Sequence, residues 1–234
     1  MITRLLDFLF PRICPICGGR LSLTEEHLCL ECLMSLPRTT YSQSPDDNDV
    51  KNLFELQIPI VRAGAFMRYM PGKDSARLVG KLKYSTGKKL ARFMGRMVAE
   101  EYSTARQDFF GGIDVIVPMP LSASRLRERG YNQAEEMAKG ISDVTGIAVD
   151  TASTRRKHFK VSQTSLTRME REENVKGAFE CVLPERLNGK HILLLDDVIT
   201  TGSTVLALAD SILAKAKGVS FSVLSIGITG EMRH

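Results

Sequence analysis

The residues of this chain best suited to chemistry lie in His191-Ile-Leu-Leu-Leu-Asp-Asp-Val-Ile-Thr-Thr-Gly-Ser-Thr204. The apolar run Ile192 to Leu195 has the character of a buried parallel strand, and Asp196 and Asp197 follow at its carboxyl end. Thr200, Thr201, Gly202, Ser203 and Thr204 then supply short hydroxyls, backbone N–H groups and one position without a side chain. They stand just before a helical run from Val205 to Ala216, whose N-terminus attracts anions. Acids that grip hydroxyls, with an anion cradle a few residues on, match the shape of ribose 5-phosphate. A nucleotide-hydrolysing strand also ends in acids, but its G-x-x-x-x-G-K-[ST] partner does not occur in this chain. The plainer alternative is a strand with solvated acids and an ordinary capped helix.

A second constellation is independent of the first. Cys14-x-x-Cys17 and Cys29-x-x-Cys32, eleven residues apart, suit two tight turns that place four thiolates around a structural Zn2+. Two disulfides or four inert thiols are the competing readings. No secretory signal is evident and disulfides are rare in a reducing cytosol, so zinc is expected. Four cysteines already close such a site, which makes His27 a surface histidine and leaves Cys181 as a structural thiol.

The elements that must position these groups follow from patterning. At 234 residues, 43% of them hydrophobic and 25% charged, the chain can build one substantial core plus a small module that needs help to fold. The polar tract Ser42 to Val50 is turn-forming and aperiodic, so residues 1–50 are expected to form an N-terminal helix and metal module and residues 51–234 the main domain. The cluster Leu5, Leu6, Phe8, Leu9 and Phe10 is broken by Asp7 and ended by Pro11. It is too short to span a membrane and unlike a signal peptide, so a cytoplasmic location is expected. Beyond the tract, strands are expected at Ile58 to Ala65, Ile113 to Val117 and Phe221 to Ile228, with helices over Ser75 to Tyr84, Lys88 to Tyr102 and Ala134 to Thr145. Strands alternating with helices predict a parallel α/β sheet with right-handed crossovers.

Charge is uneven behind a net of +5. Residues 1–57 carry 5 basic and 8 acidic side chains, whereas residues 58–176 carry 22 and 13. Between Lys73 and Arg96, eight basic residues, including Lys81, Lys88, Lys89 and Arg92, face the single Asp74. Such a run is either a solvated helix face or a surface that attracts phosphates of a nucleic-acid backbone. Ligands of open parallel sheets sit beyond the carboxyl ends of the strands, so two more segments should meet the acid pair. One is the loop after Val117, with Arg125, Arg127 and Arg129; its guanidinium groups suit bidentate phosphate binding. The other is the polar stretch Arg155 to Gly177, a flap over an anionic ligand or a solvated connection.

The segment from Asp196 to Thr204 resembles the phosphoribosyl pyrophosphate (PRPP) loop of type I phosphoribosyltransferases. The whole pattern resembles the ComF family, also called GntX-like. The matching residues are Cys14-Pro-Ile-Cys17 with Cys29 and Cys32, Leu82-Lys83-Tyr84, Val117-Pro-Met-Pro-Leu121, Arg125, and Arg129-Gly-Tyr-Asn-Gln133. Arg155, Gln163, Arg171, Asn174, Gly177-Ala-Phe179 and the acid-pair loop complete the match, which extends over nearly the whole chain. The resemblance implies a zinc ribbon fused to a type I phosphoribosyltransferase-like domain, and handling of incoming single-stranded DNA during natural transformation, alongside other competence proteins. In that frame Asp196 and Asp197 would accept the ribose hydroxyls and residues 200–204 would hold the 5-phosphate. Arg125, Arg129 and Lys83 would neutralise the pyrophosphate, and Mg2+ would be held mainly by oxygens of PRPP. No general base is evident, so catalytic residues are not assigned. Six residues follow Ile228, and no base-stacking hood is expected. An active transferase with an unknown acceptor is the alternative function.

Overall fold

The computed structural model describes residues 11–84, 87–105, 107–157 and 177–230. The N-terminal cluster from Leu5 to Phe10, together with Phe159, Gln163, Arg168, Arg171 and Asn174, lies outside the described residues. Five parallel strands hydrogen-bond in the order β1 (Ile60–Tyr69), β7 (Ser220–Thr229), β6 (His191–Ile199), β2 (Val115–Pro118) and β3 (Ala148–Val149). A separate antiparallel pair joins β4 (Thr154–Arg156) to β5 (Phe179–Cys181). The central strands read as continuous apolar runs because both of their faces are covered: Ile192 to Leu195 and Phe221 to Ile228 are all buried.

A short helix, α1 (Leu30–Ser35), lies in the cysteine segment, and helices α3 (Asp74–Lys81), α4 (Gly87–Thr104), α6 (Gln133–Thr145) and α7 (Ser203–Leu213) flank this sheet. Helix α4 buries Leu90, Met94 and Val98, the stripe expected from its spacing, and packs closely on α6. Gly95 and Gly140 permit that approach. A Cβ at the first would collide with the Met137 carbonyl, and one at the second with the Arg92 carbonyl.

Several boundaries differ from the patterning: the strand expected over Ile58 to Ala65 runs from Ile60 to Tyr69, that over Ile113 to Val117 from Val115 to Pro118, and the helix expected over Val205 to Ala216 spans Ser203 to Leu213. The strand expected to stop at Leu195 continues to Ile199, and the helix expected to reach Tyr84 ends at Lys81. The arginine-rich loop contains a helix, α5 (Ala123–Arg129), with no buried residue. Its signals are local ones: the Ser122 hydroxyl accepts from the Arg125 N–H at 3.3 Å, and Gly130 closes it at φ 78°. The polar tract before the main domain is also tied down. Asn48 is buried, caps α2 (Asp49–Asn52) by accepting from the Val50 and Lys51 N–H groups, and donates at 2.8 Å to the carbonyls of Ser44 and Ala63.

Candidate functional site

Strand β6 outlasts β2. Pro118 pairs with Leu195, the Met119 N–H donates to the Leu195 carbonyl at 2.8 Å, and from Asp196 onward β6 pairs only with β7. Neighbouring residues on a strand point to opposite faces, yet the open edge beyond β2 lets one cavity reach both acids. That cavity has a volume of about 310 Å³ and is lined by Asp196 and Asp197 together with Lys83, Arg125, Arg129 and Thr204. The structure therefore brings together the acid pair, the cations Lys83, Arg125 and Arg129 and one cradle hydroxyl, while Arg127 of the same loop is exposed and does not line the cavity.

The two acids sit differently. Asp197 is held from α6 and the turn after α3: the Gln133 side-chain amide donates to its Oδ2 at 3.1 Å, and Lys83 Nζ lies 3.5 Å from the same oxygen. Burial, reinforced by the adjacent Asp197 carboxylate, pushes Asp196 up to about 8. Asp196 thus holds its proton to higher pH than an ordinary carboxylate, and in that form the pair offers both an O–H donor and carboxylate acceptors to a vicinal diol. Gln133 uses both ends of its amide, since its Oε1 accepts from Arg129 Nη1 at 2.8 Å. Lys83 is bracketed by Tyr131, whose hydroxyl lies 2.6 Å from the Leu82 carbonyl and 2.8 Å from the Tyr84 carbonyl. Gln133 and Tyr131 belong to the Arg129-to-Gln133 motif, but their roles depend on long-range partners that local sequence does not display.

The cradle is ordered mainly by itself. Thr201 Oγ1 donates to Ser203 Oγ at 3.0 Å and accepts from the Ser203 N–H at 3.4 Å. Gly202 adopts φ 76° and faces the Phe54 ring, where a Cβ would come within 2.8 Å of the ring. Both the left-handed backbone and the close approach require glycine here. Thr200 and Thr201 are exposed and do not line the cavity, whereas Ser203 and Thr204 are half-buried at the start of α7. Arg156, which the sequence presented only as one cation in a polar stretch, lines the cavity as well. Burial and then the neighbouring Arg125 depress its pKa. Neither guanidinium has an ion pair among the described residues, so an anion would relieve both.

The basic run on α4 is partly neutralised by the protein. Arg92 makes a two-pronged contact with Asp143 at 2.7 and 2.6 Å, Lys88 lies 3.6 Å from Glu136, and Arg96 binds Glu26 at 2.7 and 2.9 Å. The last pair ties the N-terminal module to α4. His27 supports it, its ring meeting Phe93 edge-on at 5.5 Å between centroids. The histidine expected at the surface is half-buried in this contact instead, and burial lowers its pKa.

Cys14, Cys17, Cys29 and Cys32 converge, with all four Sγ atoms within 4.8 Å of one another. Cys17 and Cys29 stand 3.7 Å apart, which excludes a disulfide between them. It also matches the edge of a tetrahedron with metal–sulfur bonds of about 2.3 Å. The Gly19 N–H donates to Cys17 Sγ at 3.3 Å and the Cys32 N–H to Cys29 Sγ at 3.4 Å. Burial raises Cys14, but backbone N–H groups of Cys29, Cys17 and Ile16 outweigh it and bring this thiol to about 7. The donor set therefore fits a soft divalent metal such as zinc. Cys181 is buried in the main domain, and burial raises its pKa.

No family model matches the chain. It is 30% identical over 202 residues to the DNA utilization protein YhgH of Escherichia coli, covering 86% of this chain and 84% of that one. Competence protein F of Haemophilus influenzae is 25% identical over 205 residues, 82% of this chain and 86% of its own. Competence protein ComFC of Bacillus subtilis is 28% identical over 149 residues, 58% and 57% of the two chains. Among solved structures, the glutamine PRPP amidotransferase of B. subtilis overlaps with a TM-score of 0.39 and 17% identity, over 58% of this chain and 26% of its own. A hypoxanthine phosphoribosyltransferase of Staphylococcus aureus overlaps with a TM-score of 0.33 and 14% identity, over 59% and 62%. On the strength of the full-length relatives, the chain belongs to the ComF family.

Proposed function

We propose that this protein is a PRPP-binding, phosphoribosyltransferase-like competence protein that handles incoming single-stranded DNA in the cytoplasm. The observation that carries the ligand is the cavity at the end of β6, which Asp196 and Asp197 line together with Arg125, a guanidinium without an ion pair among the described residues. A ribose diol needs the acids and a polyphosphate needs the cations, and PRPP or another ribose 5-phosphate ligand supplies both. In this reading Asp196 and Asp197 take the hydroxyls, the segment Thr200 to Thr204 takes the 5-phosphate, and Arg125, Arg129 and Lys83 take the pyrophosphate, with Mg2+ carried in by the ligand. Lys83 would have to leave Asp197 to do so. The DNA role comes from the relatives named for competence and DNA utilization, which also suggest competence proteins as partners. Residues 1–50 would form the zinc-holding module and residues 51–234 the ligand domain.

Catalysis is a separate question. The intact acid pair favours an active phosphoribosyltransferase with an unknown acceptor as the second reading. Calorimetry with PRPP and magnesium tests the first step: no heat from the wild-type protein sinks the ligand assignment. Multiple turnovers of pyrophosphate release without nucleic acid would favour the transferase.

A further inference from the structure

A second cavity, of about 630 Å³, lies on the other side of the loop that follows β2. It shares Pro120, Leu121 and Arg156 with the acid-pair cavity, so the two form adjoining chambers with a common wall. One side is apolar: Pro118, Pro120, Leu121 and Leu126. Leu126 is 44% exposed on α5, a helix that buries nothing in the core. The same lining carries Arg155, Arg156 and Lys157, together with the carboxylates of Glu135 and Glu180. Arg155 is held by Glu180 at 2.9 Å, whereas Arg156 has no ion pair among the described residues and lies 5.3 Å from the Phe179 ring. Apolar side chains lining one chamber with a guanidinium that has no ion pair among the described residues suit a flat ring joined to an anion. A base stacks on apolar and guanidinium surfaces while its phosphate meets the charge. The volume falls within the roughly 300–1,000 Å³ typical of pockets for ligands of that size.

We infer that this chamber seats one nucleoside phosphate unit, its base against Leu121 and Leu126 and its phosphate at the wall formed by Arg156. The inference rests on the ribose-phosphate reading only for the occupant of the adjoining chamber. A free nucleotide and a link in a single strand share this chemistry, and their affinities distinguish the sources. A strand would gain from the exposed Arg127 and Lys157 beside the chamber, so a short oligothymidylate should bind more tightly than thymidine monophosphate and lose that advantage with rising salt.

The experiment measures thymidine monophosphate, the oligothymidylate and ribose 5-phosphate binding to the full chain and to Leu126→Glu. This residue lines only the larger chamber, and because α5 buries nothing the substitution leaves the core intact. A carboxylate on the apolar wall should weaken both thymidylate ligands about tenfold or more, in line with the loss of one base platform. Ribose 5-phosphate should be unaffected. Equal thymidylate affinity in wild type and variant, no thymidylate binding by either, or full displacement of thymidylate by ribose 5-phosphate would each overturn the proposal. Thymidylate binding that is lost in Leu126→Glu while ribose 5-phosphate fails to bind wild type would support the chamber and reject the ribose-phosphate site alone.

Discussion

The cysteine module and the parallel sheet solve the same folding problem by opposite means. In the sheet, β6 and β7 bury nearly every residue, and Phe221, Leu194 and Val223 are wholly enclosed. The module buries few side chains besides Cys14 and Cys32, among them Leu21 and Leu28, and leaves Ile13, Leu23, Leu30 and Met34 exposed. A region so small cannot offset its conformational entropy by burial. Four converging thiols could hold a metal that supplies what its core lacks, whereas the sheet has a buried interior of its own. The lesson concerns where each region is vulnerable: the module at its ligands, the sheet at its interior.

Removing the metal should have the largest effect. Structural zinc contributes on the order of 10 kcal/mol to such modules, so Cys14→Ser or chelation should unfold residues 11–36 and leave the sheet folded. Limited proteolysis with elemental analysis checks this, and a single transition in which both regions melt together would break the contrast. Next in size is Phe221→Ala, which should cost about 3–5 kcal/mol of sheet stability in denaturant unfolding without releasing metal.

Asp196 sharpens the contrast between stability and binding. Its native pKa of about 8 exceeds its ordinary 3.8, so the folded state holds the proton more tightly than the unfolded chain does. The acid therefore costs stability as pH rises from about 4 to about 8. Asp196→Asn should have a Tm that gains on the wild type across that window. Asp197→Asn, which removes the carboxylate of the pair, should weaken PRPP binding about ten- to a hundredfold, the worth of one charge-assisted hydrogen bond at roughly 1.5 to 3 kcal/mol. A constant difference in Tm from pH 4 to 8 would contradict the buried-proton account. The smallest effect belongs to the link between the two regions. Glu26→Gln removes the exposed pair with Arg96 and should change stability by less than about 1 kcal/mol, measured by thermal melting.

Much of this arrangement is legible in the sequence because it is written locally. The Cys-x-x-Cys spacing marks the cluster, and the apolar run before Asp196 marks the central strand. What escapes is set by distant partners or by weak periodicity. The strand runs on to Ile199 because β7 continues to pair with it, and the acids accept the N–H groups that follow them, Asp197 N to Asp196 Oδ1 and Val198 N to Asp197 Oδ1, each at 2.8 Å. Helix α5 escapes because Leu126 is its one large apolar residue, which leaves no period to read. The basic run on α4 is plain as composition, but its pairing with Glu26, Glu136 and Asp143 requires the fold. Gln133 and Phe54 are likewise silent until Asp197 and Gly202 lie beside them.

The position of β7 bears on how the chain reaches this state. It is made after the other described strands, yet it lies between β1, made early, and β6. Until it emerges, β1 has no neighbour in the sheet and β6 presents an apolar edge along which the acid pair is set. Nascent chains stalled before Ser220 should therefore be poor at forming the ligand cavity and prone to associate through that edge. Holdase chaperones that shield strand edges would act at this stage of synthesis.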